Sequence, residues 1–210
     1  PQWPYTPPKD PEAIQLMTEA YFESGYNIKA MLRAMFNADF FKSEEARFAR
    51  VKSPSEMVVG ALRMAGGLDI PSPECYEAAK ICSYMGQDLM NPPSVEGWYG
   101  GPDWINTGAY VERINFASKI FGDTRRPGLR ALIDRISESA NSGRMSPERL
   151  VNACLESIGP MTVREEIRQD MIDYARKWEE LRPDGGVETR DEGIVAILQL
   201  IVSTQEYQLV

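Results

Sequence analysis

Three carboxylates lie close to aromatic residues in one stretch of the sequence, and they mark the first place where chemistry could occur. Asp88, Glu96 and Asp103 alternate there with tryptophans and glycines. Paired carboxylates perform glycoside hydrolysis, in which one acts as general acid and the other as base or nucleophile. The chain holds 31 acidic residues, so carboxylates also come near aromatic residues by chance. A fragment of a hydrolase, completed by groups outside this segment, is therefore one hypothesis.

Histidine is absent from the sequence. This excludes Ser-His-Asp and Cys-His nucleophile systems and histidine-ligated metals from this segment. The oxygen-bearing side chains of the same stretch do not have the spacing of an EF-hand calcium loop. Gly100 and Gly101 are followed by proline and lack the downstream lysine of a phosphate-binding loop. We therefore predict no metal and no other cofactor, and we assign no catalytic residue.

The three cysteines also give no evidence of a metal site. Cys75, Cys82 and Cys154 form no C-x-x-C motif, and their odd number does not indicate a disulfide framework. We expect them to be small buried apolar residues. The cysteines do not distinguish an oxidising compartment from a reducing one.

The long segment from Gly86 to Asn106 has no helical periodicity and is rich in glycine, proline and tryptophan. Long loops inside compact domains are usually functional or unusually well packed. Trp98 and Trp104 could therefore fill a groove between helices, or they could form an aromatic surface that binds a protein or stacks on sugar rings. The loop residues that we select as candidate binding residues are Gln87, Pro92, Pro93, Gly97, Trp98, Tyr99, Trp104 and Asn106.

The rest of the chain has the apolar spacing of amphipathic helices and shows no sustained strand alternation. We predict an all-α fold, a multi-helix orthogonal or bundle-like domain with one long Gly/Pro/Trp-rich loop. An extended, polyproline-like lead-in is expected at Pro1 to Pro8, and a break at Pro183 to Gly186. Helix starts are expected at Asp10-Pro11, Asn27, Ser53 with Glu56, Ser72-Pro73, Thr107, Ser146-Pro147, Thr162 with Glu165, and Thr189 with Glu192.

The second of these helices has a clear apolar face. Ile28, Met31, Leu32, Met35 and Phe36 recur at spacings of three and four residues. We therefore expect that face to pack in a core.

Length and charge limit the remaining classes. A chain of 210 residues can form one helical domain over 1–210, divisible into halves 1–106 and 107–210. Its net charge of -8 would repel a nucleic acid, so we predict no nucleic-acid partner. The longest apolar run, 194–202, is far short of the roughly 20 residues that cross a bilayer, so we predict no membrane span.

Several segments resemble a bacterial family called domain of unknown function 1800 (DUF1800). The matching residues are Lys52 to Val58, Ala61 to Arg63, Gly86-Gln87, Pro92-Pro93, Val95, Gly97-Trp98, Trp104-Ile105, Arg113 and Ser203 to Gln208. On the strength of this resemblance we add Arg113 to the candidate binding residues. Members of that family are longer, so the chain resembles their C-terminal portion.

The resemblance implies a place and a partner but no activity. Many members of the family are exported, which implies a periplasmic or secreted protein. They are commonly encoded beside a sulfatase-like family, which implies a protein partner of that kind. From all this we expect a helical protein-interaction and assembly module of an exported bacterial protein. A carbohydrate-binding module that uses Trp98 and Trp104 is the alternative of a second class, beside the hydrolase fragment.

Overall fold

The computed structural model describes residues 10–43, 46, 48–67, 72–138, 145–159, 161–181 and 187–210. Within these ranges the chain forms ten α-helices and no strand beyond two isolated bridges, so the predicted all-α fold is confirmed. The lead-in at 1–8 and the break at 183–186 lie outside the described residues. The helices are α1 (Pro11–Glu23), α2 (Ile28–Asn37), α3 (Asp39–Lys42), α4 (Pro54–Ala65), α5 (Pro73–Tyr84), α6 (Thr107–Gly122), α7 (Pro127–Glu138), α8 (Pro147–Ile158), α9 (Glu165–Leu181) and α10 (Val187–Val202).

Most helix starts lie where the sequence predicts them, because capping is a local interaction. The side chains of Asp10, Asn27 and Ser146 each accept a hydrogen bond from a backbone N–H of the first turn. Ser53 and Glu56 form the complete capping box of α4, with Pro54 at the first helical position. These side chains satisfy N–H groups that the helix itself leaves unpaired.

Two predicted helix starts are wrong. α9 begins at Glu165, because the preceding Val163 lies in non-helical backbone with its side chain buried, which keeps Thr162 away from the helix start. α10 begins at Val187, so Thr189 lies inside the helix. No proline separates Val187 from Thr189, so the helix is not stopped between them. It begins before Thr189 because each residue added to a helix adds one backbone hydrogen bond.

Helices α1, α2 and α3 belong to a first compact unit, Pro1–Ala49. The α1–α2 turn is shaped by Gly25 and Tyr26, which both have a left-handed backbone, and the Tyr26 ring lies 5.5 Å from the Tyr21 ring. We expected the apolar face of α2 to pack in a core, and this is wrong, because no residue of that helix is buried. A pair of helices with a short third one buries too small a fraction of its surface to enclose that face. Its exposed members are Ile28, Leu32 and Phe36.

Helices α4 to α10 form the second compact unit, Arg50–Val210. Its core brings together α4, α6 and α10, with α5, α7, α8 and α9 packed around them. Helices from both sides of position 106 share this core. The expectation of a single domain with halves at 1–106 and 107–210 stays a prediction. The fully buried core residues include Val58, Ala61, Ala117, Phe121, Ile133, Val151, Cys154, Leu198, Ile201 and Val202.

The end of α4 and the start of α7 approach each other at two glycines. A Cβ atom on Gly128 would lie 2.5 Å from the Met64 carbonyl oxygen and 2.7 Å from the Ala65 carbonyl carbon. Gly66, at the end of α4, has a left-handed backbone and faces Gly128. Because backbone atoms can move aside only with the whole helix, this contact admits no side chain.

Replacing Gly128 by alanine should therefore destabilise the protein by about 2–3 kcal/mol, the usual cost of overpacking a tight contact. Gly60→Ala is the matched control. Gly60 also lies in a helix, but a Cβ there meets nothing within 4 Å. This change should stabilise the protein by about 0.5–1 kcal/mol, because alanine loses less chain entropy. Urea unfolding of both variants measures the two effects, and equal changes in the two would contradict the close approach.

Candidate functional site

The loop between α5 and α6, residues 86–106, is fixed to α4 at its beginning. Gly86 has a φ of 96°, which turns the chain at the end of α5. The next residue, Gln87, is buried, and its side-chain oxygen accepts a hydrogen bond of 2.8 Å from the backbone N–H of Ser55. Ser55 lies in the first turn of α4, where N–H groups lack helical partners. Gln87 therefore joins the loop to a helix that is 32 residues away in sequence.

Two short turns shape the middle of the loop. The Asp88 carboxylate accepts hydrogen bonds from Asn91 at 2.8 Å and from Ser83 at 3.2 Å. Ser94 and Gly97 form an isolated bridge, with Gly97 at a φ of 97°. Met90, the third residue of the turn from Asp88 to Asn91, also has a left-handed backbone, which is uncommon for a side chain of this kind. The middle of the loop is thus bonded to itself and adopts a defined shape.

The end of the loop is fixed by Trp104 and Asn106. Residues Gly101–Trp104 form a 3-10 turn that buries the Trp104 side chain. Asn106 then caps α6 by accepting a hydrogen bond of 2.9 Å from the Ala109 N–H. The loop therefore leaves α5 and enters α6 through specific contacts at both ends.

The side chains of this loop divide into a supporting set and an exposed set. Gln87 and Trp104 are buried, Trp98 is half-buried, and the indole N–H of Trp98 has no hydrogen-bond partner within the described ranges. Met90 is 94% exposed, and Val95 is fully exposed. The other exposed apolar members are Leu89, Pro92, Pro93, Tyr99, Pro102 and Ile105. The loop thus presents apolar side chains and one phenol ring to solvent, while its two tryptophans are buried or half-buried.

The three carboxylates of the hydrolase hypothesis are all exposed. Asp88 serves the turn described above, and Asp103 lies in the 3-10 turn before Trp104. Among the described residues, no group of three or more Asp, Glu, Cys or His side chains is placed to hold a metal ion.

The cysteines are placed as small apolar residues. All three are free, with Cys82 and Cys154 buried and Cys75 half-buried. Burial raises the pKa of the Cys82 thiol to about 11 and that of Cys154 to about 12. Both thiols are therefore protonated at neutral pH and are poor nucleophiles.

Arg113, the candidate residue outside the loop, is completely buried on α6. Its guanidinium donates a hydrogen bond of 2.9 Å to the Lys52 carbonyl and one of 3.4 Å to the Gln208 side-chain oxygen. The guanidinium also donates a third hydrogen bond, of 3.7 Å, to the Met57 sulfur. Desolvation lowers the pKa of Arg113, although a guanidinium stays charged at any physiological pH. Arg113 therefore supports the structure from inside.

The segments that meet Arg113 also pair with each other. The Lys52 N–H donates to the Gln208 carbonyl at 2.8 Å, and Arg50 and Val210 exchange two backbone hydrogen bonds. The Lys52 ammonium donates to the Tyr207 carbonyl at 2.7 Å and lies 4.3 Å from the centre of the Tyr207 ring. We call Lys52, Arg113, Tyr207 and Gln208 the arginine network.

Sequence reasoning did not find the arginine network as a site. The DUF1800 resemblance included Lys52, Arg113 and Gln208, but local patterns do not indicate that they touch. Arg113 and Gln208 are 95 residues apart. The only sequence signal for this contact is the type of the two residues. A buried arginine needs hydrogen-bond acceptors, and the Gln208 side chain supplies one.

The family profile described as "Protein of unknown function (DUF1800)" matches residues 4–209. The chain therefore belongs to this family, and the resemblance inferred from its sequence is confirmed. No curated protein and no solved structure matches the chain. In the described part of the chain no helix has the length and apolar character needed to traverse a membrane.

The Glu56 carboxylate fixes the start of α4 to the segment that precedes it. It accepts hydrogen bonds of 2.5 and 2.9 Å from Arg50 and one of 2.7 Å from the Ser53 N–H. These bonds, led by the one from Arg50, lower the pKa of Glu56 from 4.5 to about 2. A depressed carboxyl pKa means that the stabilisation is complete above pH 4.5 and is lost as the pH falls toward 2.

Glu56→Gln should therefore lower the free energy of unfolding at pH 7 by about 1 kcal/mol, a modest loss because the ion pair is partly exposed. The difference from wild type should shrink as the pH falls from 4.5 toward 2. Urea unfolding at neutral and acidic pH measures it. Glu77→Gln, at an exposed position inside α5, is the control and should cost less than about 0.5 kcal/mol at pH 7. A Glu56→Gln deficit that stays constant with pH would contradict the assigned role.

Proposed function

We propose that the chain is an interaction module that holds a protein partner through the exposed side chains of the 86–106 loop. One observation carries this proposal. Met90, Val95 and Tyr99 are exposed on a loop whose backbone is fixed at both ends by buried or capping side chains. Apolar and aromatic side chains in a preorganised surface supply most of the binding energy of protein interfaces.

The backbone of Met90 supports this proposal. A methionine with a φ of 66° costs about 1 kcal/mol relative to an ordinary conformation. Strain of this kind persists where the surroundings impose it, and it is concentrated at functional sites. A loop that already has its bound shape loses less conformational entropy when the partner binds.

The negative charge on the loop supports a partner with a positively charged surface. Asp88, Glu96 and Asp103 are exposed on the same loop, and the whole chain has a net charge of -8. A complementary surface has an apolar centre with lysine or arginine at its border. We propose as partner a member of the sulfatase-like family encoded beside DUF1800 proteins, with the complex in the periplasm or outside the cell.

The other two hypotheses receive less support from the site. Sugar rings stack on exposed aromatic faces, but Trp104 is 8% exposed and Trp98 is half-buried. A hydrolase needs carboxylates held at a defined separation in a shared cleft, whereas Asp88, Glu96 and Asp103 are all exposed side chains on the loop surface.

Val95→Asp should weaken binding of the sulfatase-like protein by about tenfold or more, because it puts a charge in the apolar centre of the interface. Isothermal titration calorimetry with the two purified proteins measures this. The melting temperature should change little, since the Val95 side chain is fully exposed. Raising the salt concentration should also weaken binding, because surface charges are screened.

Val111→Asp is the matched control for this experiment. Val111 is an exposed valine of the same unit, but it lies on α6 and not on the loop. The proposal requires this variant to bind like wild type. It fails if Val95→Asp leaves the affinity unchanged, or if both variants weaken binding equally.

A further inference from the structure

An open cleft of about 320 Å³ lies against the arginine network. Val51 lines it from the segment before α4, Ile105 from the end of the 86–106 loop, and Tyr110 from the first turn of α6. The third side comes from Gln205, Gln208 and Leu209 near the C-terminal end of the chain. The volume is in the range of sites that bind small molecules, and the lining combines apolar walls with few polar groups.

The orientation of the Gln208 side chain follows from chemistry. Arg113 has only hydrogen-bond donors, so the amide oxygen of Gln208 must face it, at 3.4 Å. The amide nitrogen then points away from Arg113. This nitrogen is buried and has no hydrogen-bond partner among the residues that the structure describes. Since buried N–H groups are nearly always paired, Gln208, one of the residues that line the cleft, carries a buried donor that lacks an acceptor among the described residues.

The charge next to the cleft is positive. Arg113 is fully buried and Lys52 is half-buried. Within the described ranges, the groups bonded to these two cations are all neutral: two carbonyls, an amide oxygen, a thioether and an aromatic ring. The Glu56 carboxylate also acts on the Lys52 ammonium, but it is paired with Arg50. Charges in a buried setting are weakly screened, so Arg113 and Lys52 attract an anion more strongly than surface charges do.

We propose that this cleft binds a small monocarboxylate with an apolar body. The carboxylate accepts a hydrogen bond from the Gln208 amide nitrogen, and the apolar body packs against Val51, Ile105 and Leu209. The amide nitrogen is shielded from water in the free protein, so the hydrogen bond forms as the side chains that line the cleft adjust on binding. Ile105 belongs to the end of the 86–106 loop, but Met90, Val95 and Tyr99, on which the proposed interface rests, do not line the cleft. The site therefore does not depend on the proposed protein partner.

Hexanoate is a suitable probe, because it combines one carboxylate with a short apolar chain. Titration of the full chain with hexanoate at low salt should give a Kd of about 0.1–1 mM. Hexanamide has a similar shape but no charge, and it should bind about tenfold more weakly. The proposal is overturned if hexanoate produces no binding signal up to about 10 mM, or if hexanamide binds equally well.

Gln208→Glu tests the position of the carboxylate. The new side chain has nearly the same shape and can pair with Arg113, so the variant should fold and keep its melting temperature. It removes the donor and repels the ligand, and hexanoate should bind about tenfold more weakly or not at all. Gln169→Glu, which adds the same charge at an exposed position on α9, should bind hexanoate like wild type.

Ile105→Asp is a second test, which does not alter the arginine network. It puts a negative charge in the apolar wall and should also weaken hexanoate binding by about tenfold. Val95→Asp, on the loop, should leave hexanoate binding unchanged, so that failure of this site is distinguishable from failure of the loop interface. The assignment of the site is overturned if Gln208→Glu and Gln169→Glu bind hexanoate with equal affinity.

Discussion

The burial of the Arg113 guanidinium is the constraint on which the second unit depends. A buried cation loses its hydration, and that loss is tolerable only where acceptors surround it. The acceptors come from Lys52 just before α4, Met57 within α4, and Gln208 near the C-terminal end. The start of α4 and the C-terminal segment must therefore both be in place around α6. Each of them fixes the other, because the absence of either would leave part of a buried charge without a partner.

The start of α4 is where this constraint reaches the loop. Lys52 gives its carbonyl to Arg113, Ser53 and Glu56 close the capping box, and the Ser55 N–H binds Gln87. The same short segment thus holds the arginine network on one side and the beginning of the 86–106 loop on the other. The other end of the loop leads into α6, the helix that carries Arg113. Both ends of the loop are consequently tied to the same rigid part of the unit, which accounts for its fixed shape despite its irregular backbone.

What the sequence could predict follows from the range of each interaction. Caps at Asn27 and Ser53 are local, involving residues two or three positions apart, and they were predicted correctly. The start of α10 was placed wrongly at Thr189, because a Thr-x-x-Glu pattern can also occur inside a helix. The predicted burial of α2 is wrong, because periodicity shows that a helix has an apolar face but does not show what covers that face. The loop was located from its composition, whereas the contact between Arg113 and Gln208 spans 95 residues and has no local signature.

Exposed apolar side chains have different meaning in the two units. In the first unit they follow from the small size of the helical hairpin, whose members contact chiefly their immediate neighbours, as the rings of Phe22 and Tyr26 do at 5.6 Å. In the second unit a large core is available, yet Met90 and Val95 remain outside it. Since that loop is anchored by Gln87 and Trp104, its exposed residues are held in place and not simply left over. Exposure on a fixed backbone is the condition that a recognition surface requires. For this reason the loop, more than the apolar face of α2, is the place where binding should be sought.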